Sequence, residues 1–385
     1  MRPRTIPSRE ITPAAPYDKW LIFLILSLIF IGLLMVASAS IGTSDHQLHQ
    51  PFYYFYKQLI FFFLGIALGS VVVQVEISVW EKLSGPLLIV VMLMLALVLI
   101  PGIGHAVNGS MRWIGYGPAG IQVSEIAKFA VVVYMAGYLV RQHDDVETRL
   151  SGFLKPMLLL GIISILLIKE PDFGATVVIM ITALGMMFLG GMRLRHFLLL
   201  FGSVIIALTT LAISEPYRLK RLTTFLDPWA NPFSNGYQLT QSLIAFGRGG
   251  LFGVGLGNSI QKLFYLPEAH TDFLFAVIAE EFGLMGVMVV VLLFTLLVIR
   301  ILGIGRQAQK LGKHFAGFVA YGFALWIAIQ FMVSIGVNSG ILPTKGLTLP
   351  LMSYGGSSLL ITCILLAVLL RIDYENRLMK LGLRD

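Results

Sequence analysis

The sequence predicts an all-α polytopic membrane protein of about ten transmembrane helices, with one long extracytoplasmic loop between spans seven and eight. Three observations predict it. Of the 385 residues, 57% are hydrophobic and only 12% are charged, with a mean hydropathy of +0.85; a soluble domain is about 25% charged. Apolar runs recur along the chain, most of them of the roughly 17–25 residues that a helix needs to cross a hydrocarbon core. One gap between runs, residues 214–271, far exceeds an ordinary connection, which marks it as functional.

The same composition excludes several classes of function. The single cysteine, Cys363, lies in an apolar run, so there is neither a disulfide framework nor a cysteine metal site. No GxxxxGK[ST] phosphate loop is present, which argues against work driven by ATP. The net charge of +8 is explained by basic cytoplasmic loops, with no need for a nucleic-acid partner.

Residues 1–18 carry Arg2, Arg4, Arg9 and four prolines and read as a disordered cytoplasmic tail. The membrane domain is expected over 19–372, followed by a charged cytoplasmic tail at 373–385. The first span covers residues 19–40 and reads as a retained anchor, with no convincing cleavage site after it. Tyr53, Tyr54 and Tyr56 suit a membrane interface ahead of the second span, 58–75. The third covers 83–100. Residues 101–123 form a glycine-rich loop with Arg112, Trp113 and a weak sequon at Asn108-Gly109-Ser110. The fourth span covers 124–140 and the fifth ends near Lys169-Glu170-Pro171-Asp172. The sixth and seventh cover 173–190 and 196–213. After the long loop the eighth starts at Asp272 and runs almost to Arg300. The ninth covers 315–337, and a Gly/Pro-broken stretch, 338–358, leads to the tenth at 359–371.

Ten spans put both termini on one side, and most of the 28 lysines and arginines fall in the segments on that side. The positive-inside rule therefore places the termini in the cytoplasm, and the long loop faces outward.

The stretch at 265–281, YLPEAHTDFLFAVIAEE, brings a carboxylate to the point where that loop enters the membrane. Thr271 or Asp272 suits the N-cap of the eighth span. The alternative is that Asp272 does chemistry on a lipid-borne substrate. Around it the outer face gathers Arg112, Glu125, Lys128, Asp172, Arg248, Lys262, Glu268, His270 and Lys345. Charges at membrane depth cost about 2.5–3.5 kcal/mol each on insertion scales, so they need a reason. Glu125 and Lys128, at i and i+3, can pair on one helix face, either as a structural ion pair or in a substrate-facing cavity. Arg248 sits among glycines in FGRGGLFGVGLGN, which could cradle an anion or simply pack a re-entrant loop. An interfacial histidine such as His270 is more often hydrogen-bonded than a ligand or base. LTTFLDPWANPF, 222–233, looks like an amphipathic segment lying on the membrane surface. With a sugar–pyrophosphate lipid as substrate, cations would stabilise the leaving group and one carboxylate would suffice as base. A transporter for an anionic lipid would also want outward cations.

Six motifs resemble the SEDS family (shape, elongation, division and sporulation) of bacterial peptidoglycan glycan-strand polymerases. They are SMRWI at 110–114, SEIAK at 124–128, EPDFGAT at 170–176, GYQLTQSLIAFGRGG at 236–250, LPEAHTDFLFAVIAEE at 266–281 and LPTKGLTLPLMSYGGSS at 342–358. Lys345 and the tail LRIDYENRL resemble the division branch, while Glu170 and Phe173 stand where the family often has Gln and Leu. The resemblance implies polymerisation of lipid II at the outer face of the bacterial cytoplasmic membrane, at the septum, with inversion and release of undecaprenyl pyrophosphate. It implies Asp272 as the catalytic residue, and Arg112, Glu125, Lys128, Arg248 and Lys345 around the substrate; His270, beside Asp272 in sequence, is added as a substrate-binding candidate from its position. It further implies a divalent cation, Mg2+ or Mn2+, with ligands not legible in the sequence. The expected partners are a class B penicillin-binding protein transpeptidase and other division proteins. A lipid II flippase and a non-catalytic division scaffold are the competing functions.

Overall fold

The structure, a computed structural model, describes residues 17–107, 110–115, 120–148, 151–213, 224–234, 236–344 and 346–382. Its helices are α1 (Lys19–Leu48), α2 (Tyr53–Val72), α3 (Ile77–Val98), α4 (Val123–Arg141), α5 (His143–Thr148) and α6 (Ser151–Lys169). These are followed by α7 (Phe173–Leu189), α8 (Leu194–Ile213), α9 (Tyr237–Gly249), α10 (Leu274–Lys310), α11 (His314–Asn338) and α12 (Gly356–Lys380). Seven of them, α1 to α4 and α10 to α12, are long and apolar enough to cross a membrane. Helices α6, α7 and α8 are also apolar and stand where spans five to seven are expected. The fold is that of a polytopic helical membrane protein.

Helix α1 starts where a cap dictates. The Asp18 carboxylate accepts from the Trp20 N–H at 3.0 Å and also pairs with Arg300 of α10. At the other end α12 continues through Lys380, past the expected boundary at 372. Burial is uneven in the manner of a membrane bundle. Helix α4 is the most enclosed, packed among α3, α7 and α11. Helix α2 instead turns Ile60, Phe63, Leu64, Ile66, Leu68 and Val71 outward, a surface suited to hydrocarbon, where the outside solvent is itself apolar.

Two features depart from the expected plain spans. Three strands, β1 (Gly104–Val107), β2 (Ser110–Ile114) and β3 (Ile121–Gln122), form a small antiparallel sheet in the order β1-β2-β3, within the expected glycine-rich loop. Trp113 pairs with Gln122, so the sheet feeds directly into α4. The second departure is a break in α10 at Gly283, whose φ of 63° is open to glycine and strained for other residues. The broken ladder is completed by the glycine-rich stretch after α9. Val254 and Gly255 donate to the Glu280 and Glu281 carbonyls at 3.0 Å, and Leu284 and Met285 donate to the Gly250 and Leu251 carbonyls at 2.9 and 3.1 Å. Irregular backbone at membrane depth survives only when its polar groups are met in this way. The glycines have a steric reason as well: a Cβ on Gly249 would lie 1.9 Å from the Ala279 carbonyl oxygen. In this structure the stretch packs a re-entrant loop against α10.

Of the expected surface segment 222–233, the described part turns Leu226, Trp229 and Phe233 outward. The sequon residues Asn108 and Gly109, and Lys345, lie outside the described residues.

Candidate active site

Helix α10 takes its first residue at Leu274 and its geometric N-cap is Phe273, which offers no side-chain cap. The N-cap position thus falls one residue beyond Asp272, not on Thr271 or Asp272 as local sequence suggests. Thr271 turns back to Glu268, donating to its Oε2 at 2.7 Å. The cap comes instead from the end of α11. Asn338 Oδ1 accepts from the Ala276 N–H at 3.0 Å, and its Nδ2 donates to the Asp272 carbonyl at 2.9 Å. The half-buried Asp272 directs its carboxylate toward the loop after α11: a Cβ built on Gly346 would lie 2.8 Å from Oδ2.

That loop is tied to the predicted ion pair. Lys128 Nζ lies 2.9 Å from Glu125 Oε1 and donates to Gln330 Oε1 at 2.8 Å, while Gln330 Nε2 donates to the Thr348 carbonyl at 2.8 Å. Trp326 completes the cluster, donating to the same Gln330 oxygen at 2.7 Å, with its ring beneath the Lys128 ammonium. Lys128 is only 2% exposed. As placed, it holds the 346–348 loop through Gln330. Gly174 at the start of α7 also meets this loop, since a Cβ there would stand 3.0 Å from Leu347 Cγ.

Arg112 reaches down from β2 to the turn between α6 and α7. It donates to the Glu170 and Pro171 carbonyls and lies 3.9 Å from Asp172 Oδ2. Asp172 is buried and caps α7 through Ala175 N, while its second oxygen accepts from Ser124 at 2.8 Å, next to Glu125 in sequence. Both Glu170 oxygens are buried without a hydrogen-bond partner. Burial, with the Asp172 charge second, pushes this carboxyl up to about 8, against the pull of Arg112.

Arg248 stands apart from this group. It pairs at 3.0 Å with Glu280, two turns along α10 from Asp272. Glu280 is fully buried and also accepts from the Ser259 hydroxyl and from the N–H groups of Ile260 and Gln261. Lys262 makes the neighbouring buried pair with Glu281, 2.7 Å apart, shared with Ser38 of α1. His270 closes a triangle of rings with Tyr54 and Tyr354, with centroids 4.5 and 5.6 Å from its own and 5.0 Å from each other. Burial lowers its pKa, against Glu268, and favours the neutral ring.

The structure thus joins Asp272, the 346–348 loop, Lys128 and Glu125 through Gln330, and sets Arg112 beside Ser124 and Asp172. It leaves Arg248 on a separate carboxylate and His270 in a cluster of aromatic rings. Sequence reasoning missed Gln330, Asn338 and Glu280. The first two had a signal: Gln330, Ser334 and Asn338 form a polar stripe at i, i+4 and i+8 in an otherwise apolar span. Among the described residues, no three His, Cys, Asp or Glu side chains are grouped to hold a metal.

Comparison with known proteins now adds to this geometry. Residues 19–378 match the family model of the FtsW/RodA/SpoVE proteins, described as "Cell cycle protein". A "Probable peptidoglycan glycosyltransferase FtsW" of Legionella pneumophila is 56% identical, over 100% of this chain and 98% of its own. A Coxiella burnetii protein of the same description is 57% identical, over 94% of this chain and 97% of its own. Among solved structures, the rod shape determining protein RodA of Thermus thermophilus aligns with a TM-score of 0.68 at 28% identity, over 94% of this chain and 97% of that one. A chain from "Structural coordination of polymerization and crosslinking by a peptidoglycan synthase complex" aligns with a TM-score of 0.77 at 27% identity, over 94% of this chain and 99% of that one. With its fold and its relatives in agreement, this chain belongs to the FtsW/RodA/SpoVE family.

Proposed function

We propose that this protein is an inverting peptidoglycan glycosyltransferase that polymerises lipid II during septal wall synthesis. The observation that carries the reading is the environment of Asp272. Its helix is capped from α11, and its carboxylate lies against Gly346, in the loop that the Lys128–Gln330 network holds. Relatives more than half identical over nearly the whole chain, each described as a probable peptidoglycan glycosyltransferase, support the same chemistry here.

In this mechanism the Asp272 carboxylate takes the proton of the acceptor sugar hydroxyl. The hydroxyl oxygen forms a bond to the anomeric carbon of the donor from the face opposite the pyrophosphate. The anomeric C–O bond breaks, and the electron pair leaves with undecaprenyl pyrophosphate. Arg112 and Arg248, the cations partly open to solvent, meet the pyrophosphate charge, together with Lys345. Glu125 and Lys128 hold the loop. His270 shapes the wall of the site as a neutral ring. A divalent cation is proposed to arrive with the pyrophosphate, as Mg2+ commonly does with substrate phosphates, and no step here runs through it.

Ten spans, both termini in the cytoplasm and an outward site are part of this proposal, as is residence in the bacterial cytoplasmic membrane at the septum. So is partnership with a class B penicillin-binding protein and other division proteins, which the likeness to a chain of a peptidoglycan synthase complex supports.

The test is Asp272→Asn, which keeps shape but cannot act as base. Polymerisation of purified lipid II should fall about 10²–10⁴-fold while the variant melts like wild type. A stable variant working at the wild-type rate would reject the role.

A further inference from the structure

We infer that Asn338 is a positioning residue for the reaction: its amide grips the Asp272 backbone and the first turn of α10, and so fixes the base from which the Asp272 carboxylate projects beside Gly346. The inference rests on the reading of Asp272 as the base.

Asn338 is 0% exposed. Its side-chain amide offers two N–H donors and one carbonyl, and each is used. Nδ2 donates to the Asp272 carbonyl at 2.9 Å and to the Ser334 carbonyl at 2.8 Å, while Oδ1 accepts from Ala276 N at 3.0 Å. The amide orientation is fixed by these partners. A flipped amide would set its oxygen against two carbonyls and its N–H groups against another N–H. The backbone carbonyl of Asn338 accepts from the Ser242 hydroxyl of α9 at 2.6 Å. One residue therefore joins the start of α10, the end of α11, and α9.

Asn338 Oδ1 shares the Ala276 N–H with the Phe273 carbonyl, which also accepts it at 3.0 Å, and Nδ2 grips the Asp272 backbone. The carboxylate lies on the other side, beside position 346. Asn338 touches no reacting atom in this arrangement. It acts by fixing the backbone from which the base projects.

The experiment measures lipid II polymerisation against pH for wild type, Asn338→Asp, Asn338→Ala and Asp272→Asn, with melting temperature recorded for each. Asn338→Asp keeps the acceptor for Ala276 N, removes both donors and brings a negative charge to the Asp272 backbone. The ionisable groups beside Asp272 in sequence are Glu268 and His270, and Lys345 adjoins in sequence Gly346, against which the carboxylate lies. A new anion should move the acid limb of the rate profile to higher pH. Asn338→Ala should lower kcat about 10- to 100-fold, because small displacements of a reacting group are costly, with KM within about twofold of wild type.

An unchanged acid limb in a folded Asn338→Asp variant, or an unchanged kcat in a folded Asn338→Ala variant, overturns the inference. So does a rise in KM alone, which would make Asn338 a binding residue. Loss of the fold in both variants would make it merely structural and overturns the inference too. Full activity in Asp272→Asn would instead sink the base assignment, whatever the Asn338 variants do.

Discussion

Gly346→Ala should impair the enzyme by moving one carboxylate. The added Cβ would sit 2.8 Å from Asp272 Oδ2, with the next atoms, Cγ and Oδ1, at 3.7 and 3.9 Å. Ordinary contact for a Cβ begins near 3.4 Å, so the carboxylate must retreat by about 0.6 Å. Gly346 lacks a positive φ, so alanine brings no backbone strain. The atom met is the far end of a side chain, which makes rotation of Asp272 the cheapest response, and the fold should survive. Misplacement of a reacting group by about 1 Å can cost about 10²-fold, so a loss of roughly tenfold in kcat is expected. The assay is lipid II polymerisation, with melting temperature measured on the same preparation. Gly355→Ala is the control from the same connection: its Cβ would meet Thr348 Cγ2 at an ordinary 3.4 Å. Wild-type kcat in Gly346→Ala would refute the reasoning, as would an equal loss in both variants.

Further outcomes follow from the buried charges. Lys128→Ala leaves Glu125 buried with no cation and should cost stability, about 3–5 kcal/mol for a broken buried pair. Arg248→Ala leaves Glu280 with the Ser259 hydroxyl and two backbone donors, so it should keep its melting temperature and lose polymerisation; similar melting of the two variants would contradict this contrast. Glu170 holds a proton in the folded chain up to about 8, whereas the unfolded carboxyl releases it above 4.5. Its contribution to stability therefore declines as pH rises from 4.5 to about 8 and is flat beyond. Glu170→Gln should remove that decline, by at most a few kcal/mol, and melts at pH 6 and 9 should show a gain at both, the larger at pH 9. Reporter fusions at Gln142 and Lys310 should read cytoplasmic and one at Asn235 periplasmic, and a cytoplasmic signal at Asn235 would overturn the outward site.

The sequence by itself determined the class and pointed to the place proposed for the chemistry. Apolar runs of bilayer length have few alternatives to a helix once water is absent, because every backbone polar group must be met within the segment. The i, i+3 spacing of Glu125 and Lys128 predicted a pair that the structure shows at 2.9 Å. The break between loop and helix marked Asp272. Local sequence could not decide which group caps α10, since an Asp or Thr before a helix is the ordinary cap and Asn338 lies 66 residues away. Nor could it show that Arg248 would be drawn to Glu280, that Lys128 would act through Gln330, or that α10 would break at Gly283 and borrow partners from the stretch after α9. Each of these is a contact between segments distant in sequence. Hydropathy and helical period record only the face that a residue presents, and only the packing of α4, α9, α10 and α11 decided which buried charge met which partner.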